Sequence, residues 1–200
     1  AREMNGNLLI RRNAEPAPLA DVPLVPIAAF RTTILDAVRE ECRVASYFAR
    51  QVEGAVELVA VVADDATSEL GFVRARVTDD RFESLTAECP QVHLFEREIA
   101  EQYGVDPVGH PWLKRVRYER SSRPGHRVFS EPVPGVTDFF RVEGDEVHEV
   151  AVGPVHAGVI EPGHFRFQCH GERVFHLEIA LGFQHRGVEE SLLGGPHRQT

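Results

Sequence analysis

The chain has 200 residues, 42% of them hydrophobic and 26% charged, with a formal net charge of -9. That length suits one large globular domain, or a small domain plus part of another, with enough apolar residues for a sizeable core. The acidic balance argues against a nucleic-acid groove, which needs a basic footprint, and no apolar run approaches the ~20 residues that span a bilayer.

The N-terminal residues lack the charged-then-apolar pattern of a secretory leader. Three cysteines, Cys42, Cys89 and Cys169, are widely spaced and form no C-x-x-C pair. They are expected to be small buried apolar residues in a reducing cytoplasm, neither a metal knuckle nor a disulfide framework. The sequence is expected to be a piece of a longer protein.

Histidine divides the chain. All ten histidines follow Pro90. Between the two parts lies "SSRPGHRVFSEPVPGV", Ser121 to Val136, whose proline, glycine and lack of periodicity suit an extended connector. The expected organisation is a domain over 1–120, a linker over 121–145 and the start of a second domain over 146–200.

In chain order, "FRTTILDAVREECRVASYF" places Phe30, Ile34, Ala37, Val38, Ala45 and Phe48 on one stripe at helical spacing. "VELVAVVADD" and "LGFVRARVTDD" read as strands, with Val73, Ala75 and Val77 on one face of the second and Arg74 and Arg76 on the other. Asp80 and Glu83 resemble a capping box opening a short helix, "RFESLTAEC", that Pro90 stops. A further helix over about Val92 to Tyr103 closes at Gly104, with Val92, Phe95, Ile99 and Tyr103 inward. Glu96, Arg97, Glu98 and Glu101 are expected on its solvated face. The second part is β-rich: "HFRFQCHGERVFHLEIALGF" predicts a hairpin turning near His170 and Gly171, with Phe165, Phe167, Cys169, Phe175, Leu177, Ile179 and Leu181 on one buried face. The fold class is α+β.

Three stretches carry more than secondary structure. "FEREIAEQYGVDPVGHPWLKR", Phe95 to Arg115, resembles the signature of the 30-kDa subunit of respiratory NADH dehydrogenase (complex I), which also occurs in large subunits of formate-hydrogenlyase-type, membrane-bound (group 4) [NiFe] hydrogenases. The resemblance implies a complex I 30-kDa-like α/β domain whose segment is used for docking.

The second stretch is "VGPVHAGVIEPGHFRF", Val152 to Phe167. His156, Glu161 and His164 are metal-ligand types, yet their spacing matches no H-E-x-x-H or similar zinc pattern, and lone histidines beside strands are usually structural. The stretch resembles the opening of the hydrogenase large subunit and the related Gly-Pro-x-His loop of the complex I 49-kDa subunit. In the complex I branch that resemblance makes His156 the quinone head-group position, with NADH-linked chemistry in the parent assembly.

The third is "LGFQHRGVEE", Leu181 to Glu190, at the end of the expected hairpin. By itself it reads as a charged helix start favoured by the helix dipole. It resembles the Arg-Gly-x-Glu motif with which the hydrogenase large-subunit helical bundle begins. Arg186, Gly187 and Glu189 fall on that motif, with His185 before it. The resemblance makes Glu189, Arg186 and His185 a proton relay. A dry site suits a glutamate there, because burial raises a carboxyl from its ordinary pKa of ~4.3 towards the range where it can pass protons. In the full-length protein Glu189 is expected to be buried near His185 or His156, with Glu190 exposed.

The resemblance also implies partners: an iron-sulfur small subunit and membrane subunits, with the protein cytoplasmic and peripheral to the inner face of the membrane, itself neither membrane-inserted nor bound to nucleic acid. It implies a [NiFe] centre only if two C-x-x-C pairs follow in the parent, since residues 1–200 contain none and no metal is assigned here. The tail "ESLLGGPHRQT" departs from the usual formate-hydrogenlyase continuation. Two readings stand. One is an oxidoreductase subunit of a hydrogenase, a formate-hydrogenlyase-like complex or a fused 30/49-kDa NADH:quinone oxidoreductase. The other is a cysteine-less, non-redox scaffold or proton-coupling subunit of a hydrogenase-related ion-pumping complex.

Overall fold

Alternation in the sequence builds the first sheet. The computed structural model describes residues 6–131, 133, 138–154 and 162–193. Its elements in chain order are β1 (Leu9–Arg12), β2 (Leu24–Val25), α1 (Ile27–Arg39), β3 (Arg43–Val52), β4 (Ala55–Asp64), β5 (Glu69–Val77), β6 (Arg81–Glu83), α2 (His93–Tyr103) and β7 (Asp106–Val108). There follow β8 (Val147–Val152), β9 (His164–His170), β10 (Arg173–Ala180) and the short α3 (Val188–Leu192). The chain divides into two compact units, one of Ala1–Val116 with Arg120–Ser130, the other of Arg117–Glu119 with Glu131–Thr200.

In the first unit β1, β5, β4 and β3 pair antiparallel in that order, and β2 adds to β5 in parallel. The β3–β4 connection is a two-residue turn, Glu53 and Gly54, with φ of 50° and 83°. Val56, Leu58, Ala60 and Val62 of β4 and Val73, Ala75 and Val77 of β5 point to one face, where all are buried. Against them pack Phe30 and Ile34 of α1 and Ile99 of α2, all within the same core cluster. Fully burying side chains of this size contributes about 1.5–3 kcal/mol each.

Three expectations are corrected in this unit. The helical stripe from Phe30 ends at Arg39; Glu41 takes a positive φ of 65°, and the chain continues as β3. Ala45 and Phe48 therefore lie on a strand. Val44, Tyr47 and Ala49 are the inward-facing residues, buried by pairing with β4. The short helix after Asp80 is the strand β6, paired in parallel with β7. Asp80 does not cap it: its carboxylate accepts hydrogen bonds from Arg123 and His126, both at 2.7 Å. Thirdly, Glu96 and Glu101 of α2 are buried, for a reason given below.

The second unit holds the expected hairpin, β9 and β10, with β8 added to β9. The register joins Phe165 to Ile179 and Phe167 to Leu177, so the apolar residues do share a face. Most of that face is not buried: Cys169 is buried and Phe165 and Phe167 are partly so, but Phe175, Leu177, Ile179 and Leu181 are each about half exposed, since among the described residues no second layer covers them. Burial falls on the polar face, where Gln168 and Glu178 accept hydrogen bonds from the backbone N–H groups of Val142 (3.5 Å) and Phe140 (2.8 Å). Hydrogen bonding of loop backbone closes this side, together with the Phe139 ring under Arg166 at 4.2 Å and the Phe140 ring 4.6 Å from that of His176.

Candidate functional site

The signature helix α2 puts its charged residues to work on loops. Glu96 is fully buried, and its two carboxylate oxygens accept from the Leu85 N–H (2.7 Å), the Ser84 hydroxyl (2.5 Å) and the Thr86 hydroxyl (2.6 Å). A buried carboxylate is tolerable only with such partners. The next residue, Arg97, donates from Nε to the Lys114 carbonyl (2.7 Å) and from Nη2 to the Arg115 carbonyl (2.8 Å). Glu101 accepts from the Val116 N–H at 2.8 Å and from Arg115 Nη1 at 3.3 Å. The helix stops at Gly104, whose φ of 64° and ψ of 32° form a left-handed cap.

Thus Glu96, Arg97 and Glu101 tether the chain: α2 grips the 84–86 loop with one residue and the 114–116 segment with two. Apolar periodicity alone could not reveal this, because a buried glutamate with backbone partners has the same sequence spacing as a solvated one. The presence of Ser84 and Thr86 near a glutamate-bearing helix was the available signal.

The Gly-His-Pro-Trp-Leu-Lys-Arg segment carries a second cluster. His110 stacks on His93 with ring centroids 5.5 Å apart and places Nε2 3.2 Å from the His93 carbonyl. Burial, then the nearby Arg97 charge, lowers the pKa of His93; burial also lowers that of His110. Both rings are thereby biased towards the neutral form. Lys114 lies over the Trp112 ring at 4.8 Å.

The three residues assigned to the relay lie beyond β10. Gly187 has a φ of 64° and precedes α3, as a tight turn into a helix requires. His185 is partly buried, and Arg186 and Glu189 are exposed. The Glu189 carboxylate pairs with the Arg117 guanidinium, which the short 117–119 stretch delivers to the same unit. Tyr118 of that stretch is buried, with its ring against Gly182. The Arg117 partner is a feature that sequence reading missed, 72 positions away. His156 and Glu161 lie outside the described residues, as does the Glu190 side chain.

The residues present do not fit a [NiFe] ligand set. Cys42, Cys89 and Cys169 are all buried and form no C-x-x-C pair, and among the described residues no group of three or more His, Cys, Asp or Glu side chains could hold a metal ion. No helix of the described residues is long and apolar enough to cross a membrane.

Residues 32–126 match the family described as respiratory-chain NADH dehydrogenase, 30 Kd subunit. The first unit carries a 30-kDa-subunit domain. Its sheet and helices are the α/β fold expected of that family. The chain is also 31% identical to hydrogenase-4 component G of Escherichia coli (strain K12) over 160 residues, covering 73% of this chain and 27% of that protein. It is 30% identical to formate hydrogenlyase subunit 5 of the same organism over 122 residues, covering 54% of this chain and 21% of that protein. To the C/D subunit of NADH-quinone oxidoreductase of Phocaeicola vulgatus it is 26% identical over 131 residues, covering 52% and 25% respectively. The chain spans about a quarter of the length of these relatives. It is homologous to subunits of hydrogenase and complex I-type oxidoreductases.

Proposed function

We propose that this chain is part of the large subunit of a membrane-bound hydrogenase or formate-hydrogenlyase-like complex, in which electron and proton transfer are coupled. The observation that carries this reading is the extent of the match to hydrogenase-4 component G: 73% of the chain is more than residues 1–130 can supply, so the likeness runs into the second unit. A 30-kDa-like domain followed by the start of a 49-kDa- or hydrogenase-large-subunit-like domain fits that extent. The partners are then an iron-sulfur small subunit and membrane subunits, with the protein peripheral to the inner face of the membrane.

In this reading α2 and the 110–116 segment form the docking element, stiffened by the bonds of Arg97 and Glu101. Glu189 carries protons, with Arg117 and Arg186 supplying positive charge and His185 alongside. In the quinone-reducing branch His156 contacts the quinone head group. The deviating tail "ESLLGGPHRQT" favours a second reading, a non-redox, proton-coupling subunit of a related ion-pumping complex.

Two measurements on the full-length protein separate these. A C-x-x-C pair within about fifty codons after Thr200, together with bound nickel, supports the hydrogenase; absence of both supports the non-redox subunit. Glu189→Gln should slow turnover or ion coupling of the whole complex by well over tenfold, since positioned proton transfer contributes ~10²–10⁴ in rate. Glu190→Gln should do little. Equal and mild effects would leave Glu189 as a surface ion-pair partner of Arg117 and nothing more.

A further inference from the structure

The five-stranded sheet has two faces, and among the described residues α1 and α2 pack on one of them. The register fixes what the other face displays. One row across the strands is Arg76, Glu57, Arg50. The next is Leu24, Arg74, Val59, Phe48. Beyond a third row containing Phe72 and Val61, the far end carries Arg11 and Arg43. The strands thus set five arginines against one carboxylate on this face, in a chain whose acidic residues outnumber its basic ones by 31 to 22.

Glu57 does not cancel the charge. It is 2% exposed and is approached by Arg50 at 2.7 Å, Arg76 at 3.1 Å and Arg74 at 3.5 Å. Burial alone would raise its pKa, but the hydrogen bonds from Arg50 and Arg76 and the surrounding charge outweigh that and hold it below the ordinary range. It therefore remains an anion that orients three guanidiniums. Their spare N–H groups remain, and Arg76 is half exposed. Arg43 alone is answered at the edge, by Asp65 at 2.9 Å. Within the same rows Leu24 and Phe48 are 48% and 43% exposed.

We propose that this open sheet face docks an acidic segment, carrying apolar side chains between its carboxylates, from another protein subunit. Charge complementarity names the sign, since preoriented guanidiniums bind carboxylates with paired N–H donors. Leu24 and Phe48 name the apolar component, a mixture of arginine and aromatic side chains being typical of protein interfaces. Strand and residue spacings make the face roughly 15 by 20 Å. That is well below the ~800 Å² each partner contributes to a standard interface, so it accommodates one segment rather than a whole globular surface. The proposal rests on the chain working within a multi-subunit complex.

The test is photo-crosslinking in the native host, with the full-length protein carrying a photoreactive amino acid in place of Phe48, or of Thr67 in the β4–β5 turn as a control. A crosslink from position 48 to an acidic segment of another protein, reduced about tenfold or more by Arg11→Glu with Arg76→Glu and retained by Arg11→Lys with Arg76→Lys, supports the proposal. These two arginines are chosen because Arg50 and Arg74 still neutralise Glu57 in the variants. A crosslink to lipid or nucleic acid, one that ignores the charge reversal, or none at position 48 overturns it. Co-purification of other subunits with the wild-type protein is scored separately. If they are present and position 48 stays silent, the complex stands and the surface fails; if they are absent and no position crosslinks, both fail.

Discussion

The Cα of Gly104 faces the backbone of His126 so closely that a Cβ at position 104 would lie 2.4 Å from the His126 carbonyl carbon and oxygen. The helix end and the returning 120–130 stretch therefore share a space that only glycine leaves open. Gly104→Ala combines a left-handed penalty of ~1–2 kcal/mol with an overlap that costs ~1–3 kcal/mol to relieve. The urea midpoint of the intact protein should fall by the equivalent of about 2–5 kcal/mol with little change in slope. Gly54→Ala, with a similar φ but nothing within 4 Å of the added carbon, should lose only the first part. Equal losses at the two positions would contradict the close approach.

Glu96 supplies the acceptors for the Ser84–Thr86 loop. Glu96→Leu leaves three buried donors unmatched and should cost about 3–5 kcal/mol; Glu96→Gln keeps one carbonyl oxygen for Leu85 and should cost about 1–2 kcal/mol. Hydrogen exchange gives a local check. The Leu85 amide should lose protection in Glu96→Leu while that of Val116, held by Glu101, changes much less. Uniform loss across both amides would mean that the helix itself had shifted.

Asp80 gives the fold an acid-sensitive joint. Its pKa is lowered, chiefly by the Arg123 hydrogen bond and then by that of His126. A carboxylate whose folded pKa lies below its unfolded value of ~3.9 contributes stability above that value and loses it as pH falls through the folded pKa. The stability difference between wild type and Asp80→Asn should be constant above about pH 5 and shrink as the pH drops below ~4. A difference that grew on acidification would refute the assigned direction.

Tyr47 is buried between Phe30 and Phe82, and its hydroxyl has no hydrogen-bond partner among the described residues. Burial, reinforced by the Glu96 charge, raises its pKa well above the ordinary phenol range. Tyr47→Phe removes that polar atom without removing the ring. It should leave stability unchanged or increase it by about 1 kcal/mol. A loss of more than 1 kcal/mol in equilibrium unfolding would show that the hydroxyl does find an acceptor.

The periodic parts of the chain were legible: β4, the alternating β5, the α2 boundaries with their glycine cap, and the β9–β10 hairpin. What sequence spacing concealed was polar burial. Glu96 and Glu101 occupy positions that a solvated face would also occupy, and Gln168 and Glu178 close a sheet face that apolar alternation assigned to solvent. The Arg39-to-Arg43 break was missed because Ala45 and Phe48 extend the helical stripe by coincidence, although Val44, Tyr47 and Phe48 are good strand formers. β1 is short and gains its identity from β5, a pairing partner far along the chain. At the candidate site, the Arg117–Glu189 pair spans a separation that no local motif encodes.

The Glu53–Gly54 turn has a practical corollary for anyone wishing to follow this protein. Both residues hold the positive φ values that a two-residue hairpin demands, and the space outside Gly54 is empty. Lengthening a surface loop costs only ~0.6 kcal/mol per doubling, so a short epitope or dye-binding tag belongs between β3 and β4. The loops at 84–86 and 114–116 are the opposite case: every added residue there would pull a backbone group away from Glu96, Arg97 or Glu101.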